Sequence, residues 1–239
     1  MAITQAPLTS GSSTTNASSY ATASHTPTGN RLVFAAVISR LNGAVPNTPT
    51  ATGNGLTWVQ VTTVAFNTIA TARSRLTVFR GMVASPSAGA TTFDFAAQTQ
   101  GSCAWSIKEF ASIDTGGTDG SAAVVQSATN SVDASVAALV VTLAAFGSAD
   151  NATYGAFGGS QGTGSFTPGA GFTEIHDVPE TSPAIVIETE WRNDNDTSVD
   201  ATPNASADMG GIAIEIKAAV AAAGWGYLLG GERNRLVMT

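Results

Sequence analysis

Charge is scarce in this sequence: 11% of its residues are charged, and lysine occurs only at Lys108 and Lys217. Ordinary soluble domains carry about a quarter. No basic stripe that could track a phosphate backbone is present, so nucleic acid is not an expected partner. A lone cysteine, Cys103, excludes an internal disulfide, and its setting in Cys103-Ala104-Trp105 reads as a small core residue. The two histidines, His25 and His176, are far apart and pair with no third ligand, so neither zinc nor a cofactor is expected. The apolar stretch Ala218 to Leu229 is too short and too glycine-broken to span a bilayer. Met1 to Gly29 lacks the basic start and apolar run of a secretory signal, so export by that route is not expected.

Acidic residues are absent from the first 93 positions, which carry five arginines at 31, 40, 73, 75 and 80; all seventeen acids follow, from Asp94 onward. Two readings stand: strands from both parts interleave in one sandwich and average the charge, or the parts stay separate and neighbouring copies attract head to tail.

What is present is a succession of short apolar runs punctuated by Gly, Pro, Asn and Ser. Leu32 to Ile38 is a continuous run of core-strand length, bounded by Gly29-Asn30 and Asn42-Gly43. Further runs predict strands at 56–64, 75–83, 91–96, 103–113, 122–126, 138–146, 172–178, 184–191 and 211–217. Alternation in Leu76, Val78, Arg80 and in Ile212, Ile214, Ile216 predicts strands with one face in water. Tyr154 to Gly171 holds seven glycines and reads as a long mobile loop, and Lys217 to Ala223 as a short helix. No fixed-period repeat is visible. The expected fold class is all-β, an antiparallel β-sandwich of jelly-roll type. Residues 1–28 form an extended arm with at most one or two edge strands, 29–217 the sandwich, and 218–239 a docking tail. The length suffices for a self-sufficient core.

The order Asn30-Arg31-Leu32-Val33-Phe34-Ala35-Ala36-Val37, Gly55-Leu56-Thr57-Trp58, Leu76-Thr77-Val78-Phe79-Arg80 and Trp105-Ser106-Ile107-Lys108-Glu109-Phe110, with Ser85-Pro86 before the fourth strand, resembles a β-sandwich module of bacterial surface proteins and phage virion structural proteins. The resemblance spans about residues 28 to 217 and implies a jelly-roll-like sandwich, with no catalytic residue carried over.

Several motifs bear on chemistry. Gly158-Gly159-Ser160-Gln161-Gly162 fits a nucleophile elbow, but only His176 follows and no acid lies between, so a hydrolase is not the expected reading. Asp194, Asp196 and Asp200 alternate like oxygen ligands of a calcium loop, without its glycine or terminal glutamate. Glu188 and Glu190 share a strand face as a glycosidase pair would, and read as exposed strand carboxylates. Trp58 and Trp105 read as core; Trp191 and Phe166 are the candidates for glycan contact. Trp225, Tyr227, Leu228 and Leu229 are the candidates for docking on a partner. These features predict a non-enzymatic virion structural protein, a head-decoration, spike or tail-associated subunit, assembling as a homo-oligomer with other virion proteins. The alternative is a carbohydrate-binding or host-adhesion module.

Overall fold

The computed structural model describes residues 2–160 and 164–220. Eight strands come first: β1 Thr4–Ser13, β2 Ser19–Ala21, β3 Leu32–Asn42, β4 Thr50–Thr52, β5 Val59–Phe66, β6 Ala72–Gly81, β7 Thr92–Asp94 and β8 Ser102–Ala111. After a 3-10 turn at Ser121–Ala123, eight more follow: β9 Val124–Val136, β10 Leu139–Thr142, β11 Ala152–Gly159, β12 Phe166–Pro168, β13 Thr173–Thr181, β14 Ala184–Arg192, β15 Ser198–Pro203 and β16 Ala207–Ile216. The fold is all-β and its sheets are antiparallel throughout, as expected. Among the described residues, no helix is long and apolar enough to cross a membrane.

The two sets of eight strands have the same topology. In the first, β1-β8-β3-β6-β5 form a five-stranded sheet and β2-β7-β4 a three-stranded one. Adding eight to each number gives the second set: β9-β16-β11-β14-β13 and β10-β15-β12. The repeat is one of topology, which explains why residue-level periodicity does not betray it.

The sheets stack in four layers, with the five-stranded sheets inside. A central core of Phe34, Ile38, Phe66, Leu76, Phe110, Tyr154, Ile187, Ile212 and Ile214, with others, joins the two inner sheets. One outer core, around Phe79, Phe93, Phe95 and Trp105, lies under the first small sheet; the other, around Val141, Phe157, Phe166 and Val199, lies under the second. Across the central core β1 packs on β13 and β8 on β14, while β9 packs on β5 and β16 on β6. Exchanging the halves exchanges these pairs, so the molecule has pseudo-twofold symmetry.

This layering corrects three expectations. Both faces of β6 and β16 are covered, so Ala213 and Glu215 are as buried as Ile212 and Ile214. Tyr154–Gly159 is not a loop but the fully buried middle strand of the second inner sheet. Its glycines make room for rings from afar, since a Cβ on Gly158 would stand 2.6 Å from Ile38 Cδ1 and 3.1 Å from Phe66 Cζ. Lys217 to Val220 is extended, with Ala218 bridged to Ile113, and the rest of the expected helix lies outside the described residues.

Among the described residues the named ladders lie within residues 4–111 or 124–216, and between the halves there is only the isolated Ile113–Ala218 bridge. Charge is therefore segregated and not averaged. Residues 1–113 hold six basic and two acidic side chains, and residues 114–220 hold two basic and fourteen acidic ones. Residues 1–28 contribute β1 and β2, each at a sheet edge. Pro7 sits in edge strand β1 beside a bulge, and Pro179 in edge strand β13, where the missing N–H costs no central ladder bond. Polar contacts also tie the halves: Arg40 Nη1 donates to Ser160 O at 3.2 Å and to Ala184 O, and Ser102 Oγ donates to Pro183 O at 2.8 Å.

Candidate functional site

Strand alternation on β8 sends Trp105 and Ile107 to the outer core and Ser106 and Lys108 to the central layer. Lys108 is fully buried, its Nζ 4.4 Å from the centroid of the Tyr154 ring on β11. Neither this amine nor the Tyr154 hydroxyl has a hydrogen-bond partner among the described residues. Two positions along β8, Ser106 Oγ lies 2.8 Å from His176 Nδ1 on β13 and 2.8 Å from Thr189 Oγ1 on β14.

On β14 the same alternation turns Ile185, Ile187 and Trp191 to the central core, and Val186 to the outer core of the second half. Glu188 and Glu190 share Val186's face and are fully buried. Glu190 Oε2 accepts the Gly169 N–H at 3.0 Å; Glu188 has no partner on either oxygen among the described residues. Glycine at 155 makes the space, because a Cβ there would meet Glu190 Oε1 at 2.9 Å. Asp177, opposite Glu188 in the β13–β14 ladder, accepts the Phe166 N–H at 2.9 Å.

Burial without partners favours neutral forms. It pulls the Lys108 amine well below the ordinary lysine range, against the attraction of Glu188 and Glu190. Burial also pushes Glu188 well up, helped by Glu190, and raises Glu190 to about 8 against the Gly169 N–H. Asp177 is raised to about 6 by burial, against the Phe166 N–H and with help from Glu174. His176 is lowered to about 4, first by burial and then by Lys108. The amine over the Tyr154 ring is thus one that burial biases toward its neutral form. Ser106 and Thr189 are fully buried between the sheets, and the contacts of Ser106 with His176 and Thr189 join the two halves.

The second feature is a surface cavity of about 620 Å³ where the chain leaves β16. Val125, Ser148, Asn151, Glu215, Lys217 and Val220 contribute to its wall. Glu215 is 1% exposed, whereas Val125 and Val220 are exposed apolar residues. Glu215 Oε1 accepts from Asn151 Nδ2 at 2.5 Å and Oε2 from Gln126 Nε2 at 2.6 Å. Lys217 Nζ reaches Asp114 Oδ2 at 2.8 Å.

The residues singled out from sequence fall elsewhere. Trp191 is half-buried, edge-on to Phe110 at 6.2 Å between centroids, and Phe166 is buried in the outer core, which leaves no face of Phe166 for a glycan. Glu188 and Glu190 are interior, not exposed, because β14 belongs to an inner layer. Asp194 and Asp196 both bind Arg192, at 2.7 Å from its Nε and Nη1, and Asp200 stands on β15. No group of three or more metal-ligating side chains stands together among the described residues. Ser160 follows β11, its N–H bonded to Asp208 O at 3.2 Å, while the serine that meets His176 is Ser106. Trp225, Tyr227, Leu228 and Leu229 lie outside the described residues. Sequence reasoning missed Lys108 and Glu215; the visible signal was a charge in the middle of each apolar strand run.

Compared with protein-family models, with curated proteins and with solved structures, the chain matches none of them.

Proposed function

We propose that the chain is a non-enzymatic structural subunit that works by assembly, of the kind that builds or decorates a phage virion, with further copies and other virion proteins as its partners. Each half pairs a five-stranded with a three-stranded antiparallel sheet, which supports reading the halves as jelly-roll-like sandwiches. The observation that carries the assembly reading is the division of charge between two stacked halves: leaving out the buried Lys108, Glu188 and Glu190, five basic residues stand against two acidic ones in the first and two against twelve in the second. A block with unlike ends attracts a second block end to end, and the contact is heterologous, so it propagates into rings or rows. The glycan-binding alternative has little to stand on, since no aromatic ring is fully exposed among the described residues.

Sedimentation velocity of the full chain across concentration and salt tests this reading. Association that grows with concentration and weakens as salt shortens the Debye length, about 10 Å at 0.1 M, is the expected result. A monomer at every concentration and salt overturns it.

A further inference from the structure

We infer that the cavity beside Glu215 is a binding site for a guanidinium group, an arginine side chain presented by a peptide. The internal repeat supplies the comparison. Leu32 of β3 pairs with Phe110 of β8, and Ala152 of β11 pairs with Ile216 of β16, so Arg31 corresponds to Asn151 and Glu109 to Glu215. Three residues earlier in each half, Thr28 corresponds to Ser148.

In the first half Glu109 is buried and fully served. Its oxygens accept from Thr28 N at 2.7 Å, Thr28 Oγ1 at 2.9 Å and Arg31 Nη1 at 2.8 Å. A cation thus neutralises the buried carboxylate, as such a charge requires. In the second half the carboxylate is retained and the cation is not. Asn151 and Gln126 give Glu215 two neutral amide bonds, and Glu215 has no ion pair among the described residues. The Ser148 hydroxyl accepts from Asp150 N at 3.2 Å and serves its own loop.

The cavity lies where Arg31 would reach if it stood at position 151. Asn151, Ser148 and Glu215 all border it, and Asn151 is shorter than arginine by about the length of a guanidinium. Of the charged residues on its wall, Asp150 and Glu215 are negative, and the positive Lys217 is engaged by Asp114. Each Glu215 oxygen has accepted one bond and has a lone pair left. A planar fork of donors fits two such oxygens, where an ammonium is a single point charge. The exposed Val125 and Val220 at the cavity offer apolar surface for the methylene stem.

The test is titration of the full chain with Nα-acetyl-arginine methylamide, read by the side-chain amide resonances of Asn151 and Gln126, with the uncharged citrulline analogue as control. The expected result is binding of the arginine probe alone, weakened at least about tenfold in Glu215→Gln, which removes a charge-assisted hydrogen bond. Asn151→Arg fills the site from within, as in the first half, and is expected to abolish binding. An Arg233→Gln/Arg235→Gln variant distinguishes the sources. Binding seen only, or more tightly, in that variant supports the site with the chain's own arginines as occupants; equal binding supports it with an outside peptide. No binding to either chain at millimolar probe, equal binding of citrulline, or unchanged binding to Asn151→Arg overturns the inference. These outcomes are independent of self-association in salt, so the site and the assembly reading fail separately.

Discussion

Phe34 and Tyr154 stack across the middle of the molecule, ring centroids 5.0 Å apart and planes inclined by 43°. They occupy corresponding positions of β3 and β11, the third strand of each half, so their contact lies on the pseudo-twofold axis. Phe110 leans edge-on against both rings, at 5.6 and 6.1 Å. This aromatic cluster belongs to both inner sheets at once and couples their folding.

Truncating Phe34 therefore removes contacts from both halves. Phe34→Ala is expected to cost about 3–5 kcal/mol, the usual range for a buried ring. Unfolding followed by tryptophan fluorescence, with Trp105 in the first half and Trp191 in the second, is expected to stay a single transition in wild type and variant. Two resolved transitions in the wild type would show that the central core does not unite the halves.

The glycines of the second half make a different prediction. A Cβ on Gly210 would lie 2.4 Å from Phe66 Cδ1, and Phe66 is fully buried, so neither can yield. Gly210→Ala is expected to destabilise by about 1–3 kcal/mol through overpacking. Combined with Phe66→Leu the two losses are expected to add to less than their sum, because the smaller side chain vacates the space the methyl needs. Additive losses in a double-mutant cycle would refute the steric account.

These glycines also explain what the sequence hid. Leu32 to Ile38 was legible as a core strand because its apolar run is unbroken, and β8 and β14 were legible from apolar runs of strand length despite Lys108, Glu109, Glu188 and Glu190 within them. The partner strand β11 was not, since Gly155, Gly158 and Gly159 imitate a loop; their cause lies in Glu190, Ile38, Phe66 and Phe166, contacts remote in sequence. The exposure of β6 and β16 was misread because alternation marks a half-wet strand only when one face meets water, and inner layers have no such face. The repeat is not legible in the sequence because only the topology and a few positions correspond, Glu109 with Glu215 and Phe34 with Tyr154, while the residues between differ. Trp191 looked free beside an acidic loop, yet its strand places it against Phe110.

Proton linkage offers the last prediction. Glu190 titrates at about 8 in the fold against an ordinary value of 4.5, and Glu188 is also raised. An acid with a raised folded pKa binds protons that the unfolded chain has released, so stability is full below the unfolded value and is lost as pH rises toward the folded one. Asp177 works in the same sense only up to about 6. His176, lowered to about 4 from 6.5, and His25, also lowered by burial, work in the opposite sense, and their effect fades as pH rises past the unfolded value of 6.5. Lys108, also lowered, opposes the two glutamates, because the unfolded lysine holds a proton that the buried amine lacks. Between about pH 7 and 8, where the unfolded histidines have largely lost their protons, the two glutamates outweigh the lysine, and each proton contributes up to about 1.4 kcal/mol per pH unit. Wild-type stability in urea is therefore expected to fall across this window. The Glu188→Gln/Glu190→Gln variant removes both carboxyls while keeping the shape and is expected to abolish or reverse the fall, leaving the opposite slope of Lys108. A wild type whose urea midpoint does not decline from about pH 7 to 8, or a double variant that declines equally, would show that these carboxyls are ionised in the folded protein.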